Sequence, residues 1–234
     1  GATPGLPPSS RSSHPGATME GILGGGRANL PGDVRLSHRG VLVLDEATEF
    51  KPHVLQALRE PVENRTIMIN RAGRNEEYPA AFQLVLTSNL CPCGKLGNPN
   101  ETCMCSVQEI ARFWKRIGAA LLDRIDIRIR SYYTEHGSGA LTQETMRSKV
   151  ERAVARQLSR CGSYPGKRNA LIPPETADTL LPLDRGLRSV LTTQMKEHRL
   201  SDRAAAAIRS VAWTIADLDD RTKLEKEDIL EATA

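Results

Sequence analysis

The sequence is poor in aromatic residues, and it has no long apolar run. Aromatic side chains make up 4% of the 234 residues, so a folded core has to be built from aliphatic side chains. No stretch approaches the roughly 18 consecutive apolar residues of a membrane-spanning helix. The first residues also lack the charged start and the apolar segment of a signal peptide. We therefore expect a cytoplasmic protein.

Residues 1–32 carry little that predicts a helix or a strand. They hold 8 of the 18 glycines and 5 of the 14 prolines, so we expect a loop or an extended arm. Such a start, followed at once by a buried strand, suggests that a longer protein has been truncated at its N-terminus. The net charge of +4 permits a nucleic-acid partner only if positive charge is clustered.

Residues 41–130 show the pattern of an α/β protein. The apolar run from Val41 to Leu44 predicts a strand buried on both faces of a parallel sheet. A second buried strand is predicted at 83–87. Between them, 66–71 and 77–80 form the arms of a predicted hairpin with its turn at Gly73-Arg74-Asn75. Alternation of Ile125, Ile127 and Ile129 with charged residues predicts a third strand.

Helices are predicted between these strands. Pro52 suits the first turn of a helix, which Pro61 is expected to end. Ser106 and Glu109 have capping-box spacing, which predicts a helix from about Val107. The alternation of strands and helices indicates an α/β fold with a parallel sheet.

The last third of the chain has only helical patterns. Apolar residues recur at helical spacing from residue 142 to 160, at Met146, Val150, Val154 and Leu158. Further helices are predicted at 174–181, 186–197, 201–217 and 225–232. We therefore expect an α/β part at 1–131, a linker at 132–142 and an all-helical domain at 143–234.

Polar residues follow both buried strands. Asp45 and Glu46 end the first strand in the way a Walker B sequence does, where Asp45 would hold Mg²⁺ and Glu46 would orient or deprotonate a water. Asn89 follows the second strand and is placed to contact a γ-phosphate or an attacking water. Each has an ordinary alternative, since acidic residues often end strands and asparagine often caps turns.

Two arginines lie at positions that suggest function. Arg124 lies on a loop, where it could reach a phosphate of a neighbouring subunit or form an ion pair with Asp123 or Asp126. Arg203 lies in a first helical turn, where a cation opposes the helix dipole. That position favours a binding role, with Asp202 as partial compensation.

Four of the five cysteines lie within 15 residues. Cys91, Cys93, Cys103 and Cys105 form two C-x-C pairs separated by nine residues. Four thiolates can surround a structural Zn²⁺, and the alternative is four reduced cysteines that merely lie close together. Cys161 lies far from this cluster in the sequence.

Basic residues of the predicted hairpin, Arg65, Arg71 and Arg74, are candidates for contacts with DNA phosphates. Glu76 and Glu77 dilute this charge, so a solvated surface is the alternative. The basic face of the 143–160 helix has the same two interpretations.

Taken in order, these motifs resemble those of the magnesium-chelatase-like AAA+ ATPases, and most closely the ComM/YifB branch. They are Leu-Asp-Glu (44–46), Leu-Arg-Glu-Pro (58–61), Ile-Asn-Arg-Ala (69–72), Tyr-Pro-Ala (78–80), Ser-Asn (88–89), Cys-Pro-Cys-Gly (91–94), Leu-Leu-Asp-Arg-Ile-Asp (121–126) and Ser-Asp-Arg (201–203).

The resemblance implies an αβα AAA+ core followed by a helical lid, and an Mg²⁺-dependent ATPase that forms a ring, typically a hexamer. By position, Asp45 and Glu46 match Walker B and Asn89 matches sensor 1. Arg124 matches the trans-acting arginine finger, and Arg203 matches the sensor 2 arginine. ComM-type members are associated with DNA, as helicase-like motors of branch migration in natural transformation.

One motif of the family does not occur in the chain. Neither Gly94-Lys95 nor Gly166-Lys167 belongs to a Gly-x-x-x-x-Gly-Lys-Ser/Thr sequence, which cradles phosphates in such ATPases. We expect that loop upstream of residue 1. A chelatase-type or protein-remodelling ATPase, and a non-catalytic zinc-stabilised nucleic-acid-binding module, are the alternative functions.

Overall fold

The computed structural model describes residues 9–26, 30–71, 74–131, 142–162 and 168–233, with side chains for all of these except 70–74. The described chain divides into two compact units. The first contains residues 9–125 and Ser131, and the second contains 126–130 and everything described from 142 onward. The predicted linker at 132–142 lies outside the described residues, apart from Thr142.

The first unit is built around a parallel sheet. The strands described in this unit are β1 (Ser10–Ser13), β2 (Gly24–Gly25), β3 (Leu30–Pro31), β4 (Val41–Leu44), β5 (Thr66–Arg71), β6 (Arg74–Pro79) and β7 (Gln83–Leu86). Among the described residues, β1, β4 and β7 form a three-stranded parallel sheet with β4 in the centre. Strands β5 and β6 form a separate antiparallel hairpin, and β2 pairs with β3.

Short helices cover this sheet. They are α1 (Met19–Leu23), α2 (Asp33–Leu36), α3 (Pro52–Ala57), α4 (Arg59–Asn64), α5 (Val107–Lys115) and α6 (Ala119–Leu122). Leu42 and Leu44 of β4 are fully buried and pack in one hydrophobic cluster with Phe50, Leu55 and Leu121. The prediction of an α/β fold with a parallel sheet is confirmed.

The expectation that residues 1–32 lack strands and helices was wrong. Strand β1 lies within this segment and pairs with β4. Its sequence, Ser-Arg-Ser-Ser, has no apolar signal, because backbone hydrogen bonds rather than side-chain burial attach it to the sheet. Gly40 permits the close approach, since a Cβ there would lie 2.0 Å from the Ser9 carbonyl oxygen.

Three local expectations in the first unit also need correction. Pro61 does not end the helical region, because it lies in the first turn of α4, where its missing N–H is not needed. Arg74 belongs to β6 rather than to the hairpin turn. Strand β7 is only half-buried, and Gln83 is exposed.

Residues 125–129 do not form the predicted third strand. Ile127 and Ile129 are 61% and 86% exposed. Alternation of apolar and charged residues predicts a strand only when a neighbouring strand supplies hydrogen bonds. Among the described residues, no strand pairs with this segment.

The second unit is helical, as predicted. Its helices are α7 (Gln143–Cys161), α8 (Pro174–Leu180), α9 (Arg185–His198), α10 (Asp202–Leu218) and α11 (Lys226–Thr233). Its core contains Leu181, Trp213 and Ile229. Helix α7 buries Ala153 and Gln157, whereas Val150 of the predicted apolar stripe is 52% exposed. No helix in the described part of the chain has both the length and the apolar character needed to cross a membrane.

Candidate functional site

The acidic pair lies at the carboxyl end of β4, on the surface. Asp45 and Glu46 are both exposed, whereas the strand that carries them is buried at Leu42 and Leu44. Glu46 has a left-handed backbone, with φ 53° and ψ 51°. This conformation is unfavourable for a residue other than glycine or asparagine, and such local strain tends to persist at functional sites.

Thr87 connects the acidic pair to the end of β7. Its hydroxyl donates a hydrogen bond to the Asp45 carboxylate and accepts one from the Glu46 N–H at 3.1 Å. Its carbonyl accepts a hydrogen bond from the Ala47 N–H at 2.8 Å. The carboxyl ends of the two neighbouring parallel strands are therefore held together by one threonine, which the sequence interpretation had not singled out.

Asn89 lies at the same edge of the sheet. Leu44 of β4 is opposite Leu86 of β7 in the parallel register, so Asp45 and Asn89 both follow the strands at this edge. A second link joins the two strand ends, because the hydroxyls of Thr48 and Ser88 lie 3.1 Å apart. The Asn89 side chain is exposed.

This edge has the donor set of a magnesium site. Thr87 occupies one oxygen of the Asp45 carboxylate, Oδ1. Mg²⁺ prefers carboxylate oxygens and retains several waters, so an exposed carboxylate at a strand end fits it, and the exposed Asn89 follows the neighbouring strand at the same edge. The groups at this edge can therefore hold a hydrated cation and a phosphate oxygen that it contacts.

Arg124 is held within the first unit by Glu63. Its Nε donates to the Glu63 carboxylate at 2.9 Å, and its Nη2 contacts the same oxygen. Its Nη1 donates to the Ala120 carbonyl at 2.7 Å, and the side chain is 15% exposed. The structure therefore contains an ion pair at Arg124, with a partner 61 residues upstream instead of the neighbouring aspartates considered from sequence.

A glycine allows the turn that presents Arg124. Gly118 precedes α6 with a φ of 84°, and a Cβ there would lie 2.0 Å from the Nε2 of Gln56. The same Gln56 nitrogen donates to the Ile117 carbonyl at 3.1 Å. Gln56 therefore fastens α3 to the start of the segment that carries Arg124.

Arg203 belongs to the second unit, at the start of α10. The helix is capped by the Ser201 hydroxyl, which accepts from the Ala204 N–H at 3.1 Å. Asp126 belongs to the same unit. Although its side chain is exposed overall, desolvation by surrounding atoms raises the pKa of Asp126, and the positive charge of Arg203 partly opposes that shift.

The four clustered cysteines converge. The Cys91 Sγ lies 3.3 Å from that of Cys93 and 3.6 Å from that of Cys103, and the sulfurs of Cys93 and Cys103 are also 3.6 Å apart. With Cys105, all four sulfurs lie within 4.8 Å of one another. None of the four is in a disulfide, and Cys91 is buried.

The thiols of this cluster differ in their affinity for protons. Burial disfavours the Cys91 thiolate, but hydrogen bonds from the Leu96 N–H and the neighbouring thiols outweigh burial and lower the pKa of Cys91 to about 6. The hydrogen bond to Cys93 is the main reason that the pKa of Cys105 is raised to about 12. Without a cation, like-charge repulsion keeps the four sulfurs from ionising together.

The hairpin predicted to contact DNA is present, and Arg71 lies opposite Arg74 at its tip. The side chains of both arginines lie outside the described part of the chain. Arg65 ends α4 with a left-handed backbone. The register places the two candidate arginines at the same end of the hairpin.

Two residues that contact the candidate site residues were not anticipated from sequence. Thr87 lies in the predicted strand without any distinguishing motif, and Glu63 is one of many surface glutamates. Both acquire their roles from contacts 41 to 61 residues away, so no local pattern could have identified them.

Comparison with known proteins gives a consistent result over nearly the whole chain. Residues 6–138 match the family described as magnesium chelatase, subunit ChlI, and residues 140–234 match the C-terminal part of that subunit. The competence protein ComM of Haemophilus influenzae is 34% identical over 229 residues. YifB of Escherichia coli, described as uncharacterized, is 32% identical over 231 residues.

These alignments cover 95% and 96% of this chain but 44% of each relative, so the chain spans less than half the length of the curated relatives it matches. A protein of Mycobacterium tuberculosis, also described as uncharacterized, is 32% identical over 89% of the chain and 42% of its own length. The chain belongs to the magnesium-chelatase-like AAA+ family, in its ComM/YifB branch.

Proposed function

We propose that the chain is part of a cytoplasmic Mg²⁺-dependent ATPase motor that acts on DNA. The observation that carries this proposal is the joint position of Asp45, Glu46 and Asn89 at one edge of the parallel sheet, where Thr87 links Asp45 and Glu46 to the end of β7. Open α/β sheets bind their ligands in the crevice at this edge. Membership of an AAA+ family makes a nucleoside triphosphate the ligand to test first.

Each of the three side chains then has a distinct role. Asp45 would hold Mg²⁺, which neutralises charge on the phosphate oxygens when it is bound. Glu46, whose N–H donates a hydrogen bond to the Thr87 hydroxyl, would accept a proton from the attacking water or orient that water. The Asn89 amide would donate a hydrogen bond to the terminal phosphate.

Two arginines would have further roles in nucleotide turnover, as their match to the family's motifs implies. Arg124 would stabilise the developing negative charge from a neighbouring subunit of a ring, as an arginine finger does. Its ion pair with Glu63 holds the guanidinium in place, so an approaching phosphate would compete with a carboxylate for it. Arg203, at the start of α10, would contact the nucleotide as sensor 2.

Two observations support DNA as the substrate. One relative is named a competence protein, and competence is the uptake of DNA from outside the cell. Arg71 and Arg74 lie opposite each other at the tip of the β5–β6 hairpin, where a ring could direct them into its pore. Branch migration during recombination of incoming DNA is the activity that we propose. A chelatase-type motor is the second candidate, since the family itself carries that name.

The proposal is tested by replacing Glu46 in a protein that joins this chain to a phosphate-binding loop. Glu46→Gln should retain Mg-ATP binding and lose turnover by about 10²- to 10⁴-fold, because the general base is removed. Asp45→Asn should also weaken Mg²⁺ binding. Glu49→Gln makes the same change in charge three residues away and should leave turnover unchanged. Equal turnover in Glu46→Gln and Glu49→Gln would contradict the proposed role.

The DNA part is tested separately. Alanine at both Arg71 and Arg74 should weaken DNA binding similarly for all sequences and reduce the salt dependence by about one to two units of slope, because phosphate contacts release counterions. Alanine at Arg147 and Lys149 on helix α7 is the comparison variant. If only the substitutions at Arg147 and Lys149 weaken DNA binding, DNA contacts helix α7 instead of the hairpin. If neither pair does, the chelatase-type candidate gains support.

A further inference from the structure

We propose that Cys91, Cys93, Cys103 and Cys105 bind one Zn²⁺, and that this ion holds the segment after β7 against helix α5. Four thiolates at about 2.3 Å from a tetrahedral zinc lie about 3.8 Å from one another. The sulfurs of Cys91, Cys93 and Cys103 are 3.3 to 3.6 Å apart, and the Cys105 sulfur lies within 4.8 Å of the others. The cluster therefore already has the dimensions of a single-ion site.

The identity of the metal follows from the ligand set. Four soft thiolates in a tetrahedral arrangement select zinc or iron, and a reducing compartment disfavours disulfides between them. A multi-iron cluster would hold its thiolates farther apart, because iron and sulfide atoms lie between them. A site closed by four protein ligands, with no position open to substrate, is typical of structural zinc.

Groups around the sulfurs already support a bound ion. The Leu96 N–H donates to the Cys91 Sγ at 3.4 Å, a contact of the kind that orients a metal ligand. The loop between the two cysteine pairs is closed by a Lys95–Glu101 ion pair at 3.3 Å and by a hydrogen bond of 2.9 Å from Asn98 to Glu101. These contacts close the loop between the two cysteine pairs, and the metal would add the link between the pairs themselves.

The position of the cluster assigns its role. Cys91 lies two residues after Asn89, and Cys105 directly precedes Ser106, which caps helix α5. The Trp114 indole of α5 donates to the Leu90 carbonyl at 3.2 Å. A metal that links the two cysteine pairs therefore fixes Leu90 and α5 together, and Asn89 with them. The metal would position Asn89. The chemical role of Asn89 rests on the proposed ATPase function, but binding of the metal to the four cysteines does not.

The first test is metal content. Protein purified under reducing conditions without chelator should contain about one Zn²⁺ per chain by elemental analysis. The double variant Cys93→Ser, Cys105→Ser should contain almost none. Cys161→Ala, which removes the buried cysteine outside the cluster, should keep the full content. Zinc near zero in the unaltered chain, iron in its place, or equal loss in the Cys161 variant would overturn the proposal.

The second test uses the unaltered cysteines and no nucleotide. The chain has two tryptophans, so Trp213→Phe leaves Trp114, near the cluster, as the sole tryptophan whose emission is followed. Chelation should shift Trp114 emission to the red and speed amide exchange in residues 87–90, and Zn²⁺ but not Mg²⁺ should reverse both changes. In the matched Trp114→Phe protein, Trp213 emission should not change. If the metal binds but its removal changes neither Trp114 emission nor amide exchange in residues 87–90, the metal does not position this segment. That conclusion would hold whatever the outcome of the ATPase tests.

Discussion

The two compact units bury different kinds of side chain. In the described part of the first unit, the buried polar residues are Ser13, Ser37 and Thr48, and none of its charged residues is fully buried. The second unit buries Gln157 and Asn169 and two carboxylates, Asp217 and Asp228. The described part of the first unit thus places its ion pairs, such as Arg124–Glu63, outside its core, whereas the second unit builds buried carboxylates into its core.

Asp217 is the centre of the buried network in the second unit. It is fully buried and ion-paired to Arg160 of helix α7, whose Nη1 donates to the carboxylate at 3.0 Å. Asn169 donates to the same carboxylate at 3.0 Å. The Arg160 guanidinium also lies 4.4 Å from the centre of the Trp213 ring. One carboxylate therefore joins α7, α10 and the turn at 169–171.

The largest expected effect comes from removing this carboxylate. Asp217→Ala removes the carboxylate that compensates the Arg160 charge, although Arg160 keeps its hydrogen bond to Asn169, and it should lower the free energy of unfolding of the second unit by about 3–5 kcal/mol. Urea unfolding followed by Trp213 in a Trp114→Phe background measures it. The same substitution should leave the Trp114 transition in place. Equal shifts at both tryptophans would show that the two units do not differ in this way.

A smaller effect is expected in the first unit at Gly118. Gly118→Ala places a Cβ against Gln56 at a backbone φ of 84°, so it should cost about 1–3 kcal/mol. The Trp114 transition should move to lower urea while the Trp213 transition stays. Gly186→Ala, in helix α9, is the control glycine and has its nearest contact at 3.3 Å, to a side-chain oxygen. No shift at Trp114 in Gly118→Ala would show that the turn before α6 tolerates a side chain.

The capping box of α5 should contribute less. Ser106 accepts from the Glu109 N–H at 3.2 Å, and the Glu109 carboxylate accepts from the Ser106 N–H at 2.7 Å. Ser106→Ala should destabilise the first unit by about 1 kcal/mol. Thr142→Ala removes the corresponding cap of α7 and should affect the Trp213 transition instead. A shift of the Trp213 transition by Ser106→Ala, or of the Trp114 transition by Thr142→Ala, would contradict the division into units.

Acid should destabilise the second unit more than the first. The effect expected from each single carboxyl is smaller than the effects of the substitutions above. Burial raises the pKa of Asp228, but hydrogen bonds from Arg221 and the Glu225 N–H outweigh it and leave the pKa lowered. Arg209 lowers the pKa of Asp178, and Arg152 lowers that of Asp220. A carboxyl with a lowered folded pKa stabilises fully above its unfolded pKa of about 3.9 and loses that contribution as the pH falls through its folded pKa.

The second unit should therefore begin to lose stability as the pH falls below about 4, because the carboxyls of the unfolded chain take up protons there before those of the folded unit do. In the first unit, the hydrogen bond from the Ser106 N–H lowers the pKa of Glu109, so a smaller loss is expected there. Acid titration of the two single-tryptophan proteins should give a Trp213 transition at higher pH than the Trp114 transition. An earlier Trp114 transition would contradict the comparison.

Elements with a strong local signal were predicted from the sequence. The apolar run of β4, the capping box of α5 and the helical periodicity of the second unit all depend on residues within a few positions of one another. Strand β1 was missed because its polar residues join the sheet through backbone bonds alone. The 125–129 strand was predicted wrongly because alternation carries no information about a partner strand.

The candidate site also has features that could be predicted from local sequence and features that could not. Asp45 and Asn89 could be assigned to one edge because parallel neighbouring strands end at the same edge of a sheet. The Thr87 link, the Glu63–Arg124 pair and the Asp217 network depend on residues 41 to 61 positions apart. Such contacts are set by packing of the whole fold, and a single sequence does not specify them.

The most direct test of the proposed motor mixes two inactive subunits. In a protein that joins this chain to a phosphate-binding loop, Arg124→Ala should fold, bind nucleotide and turn over about 10³- to 10⁵-fold more slowly. Arg116→Ala, which breaks a surface ion pair of 3.8 Å with Glu49, should change turnover little. Mixed with Glu46→Gln subunits, Arg124→Ala subunits should regain measurable activity, because some interfaces then combine an intact Glu46 with an intact Arg124. Mixed rings that form but show no activity above either variant alone would contradict an arginine that acts across subunits.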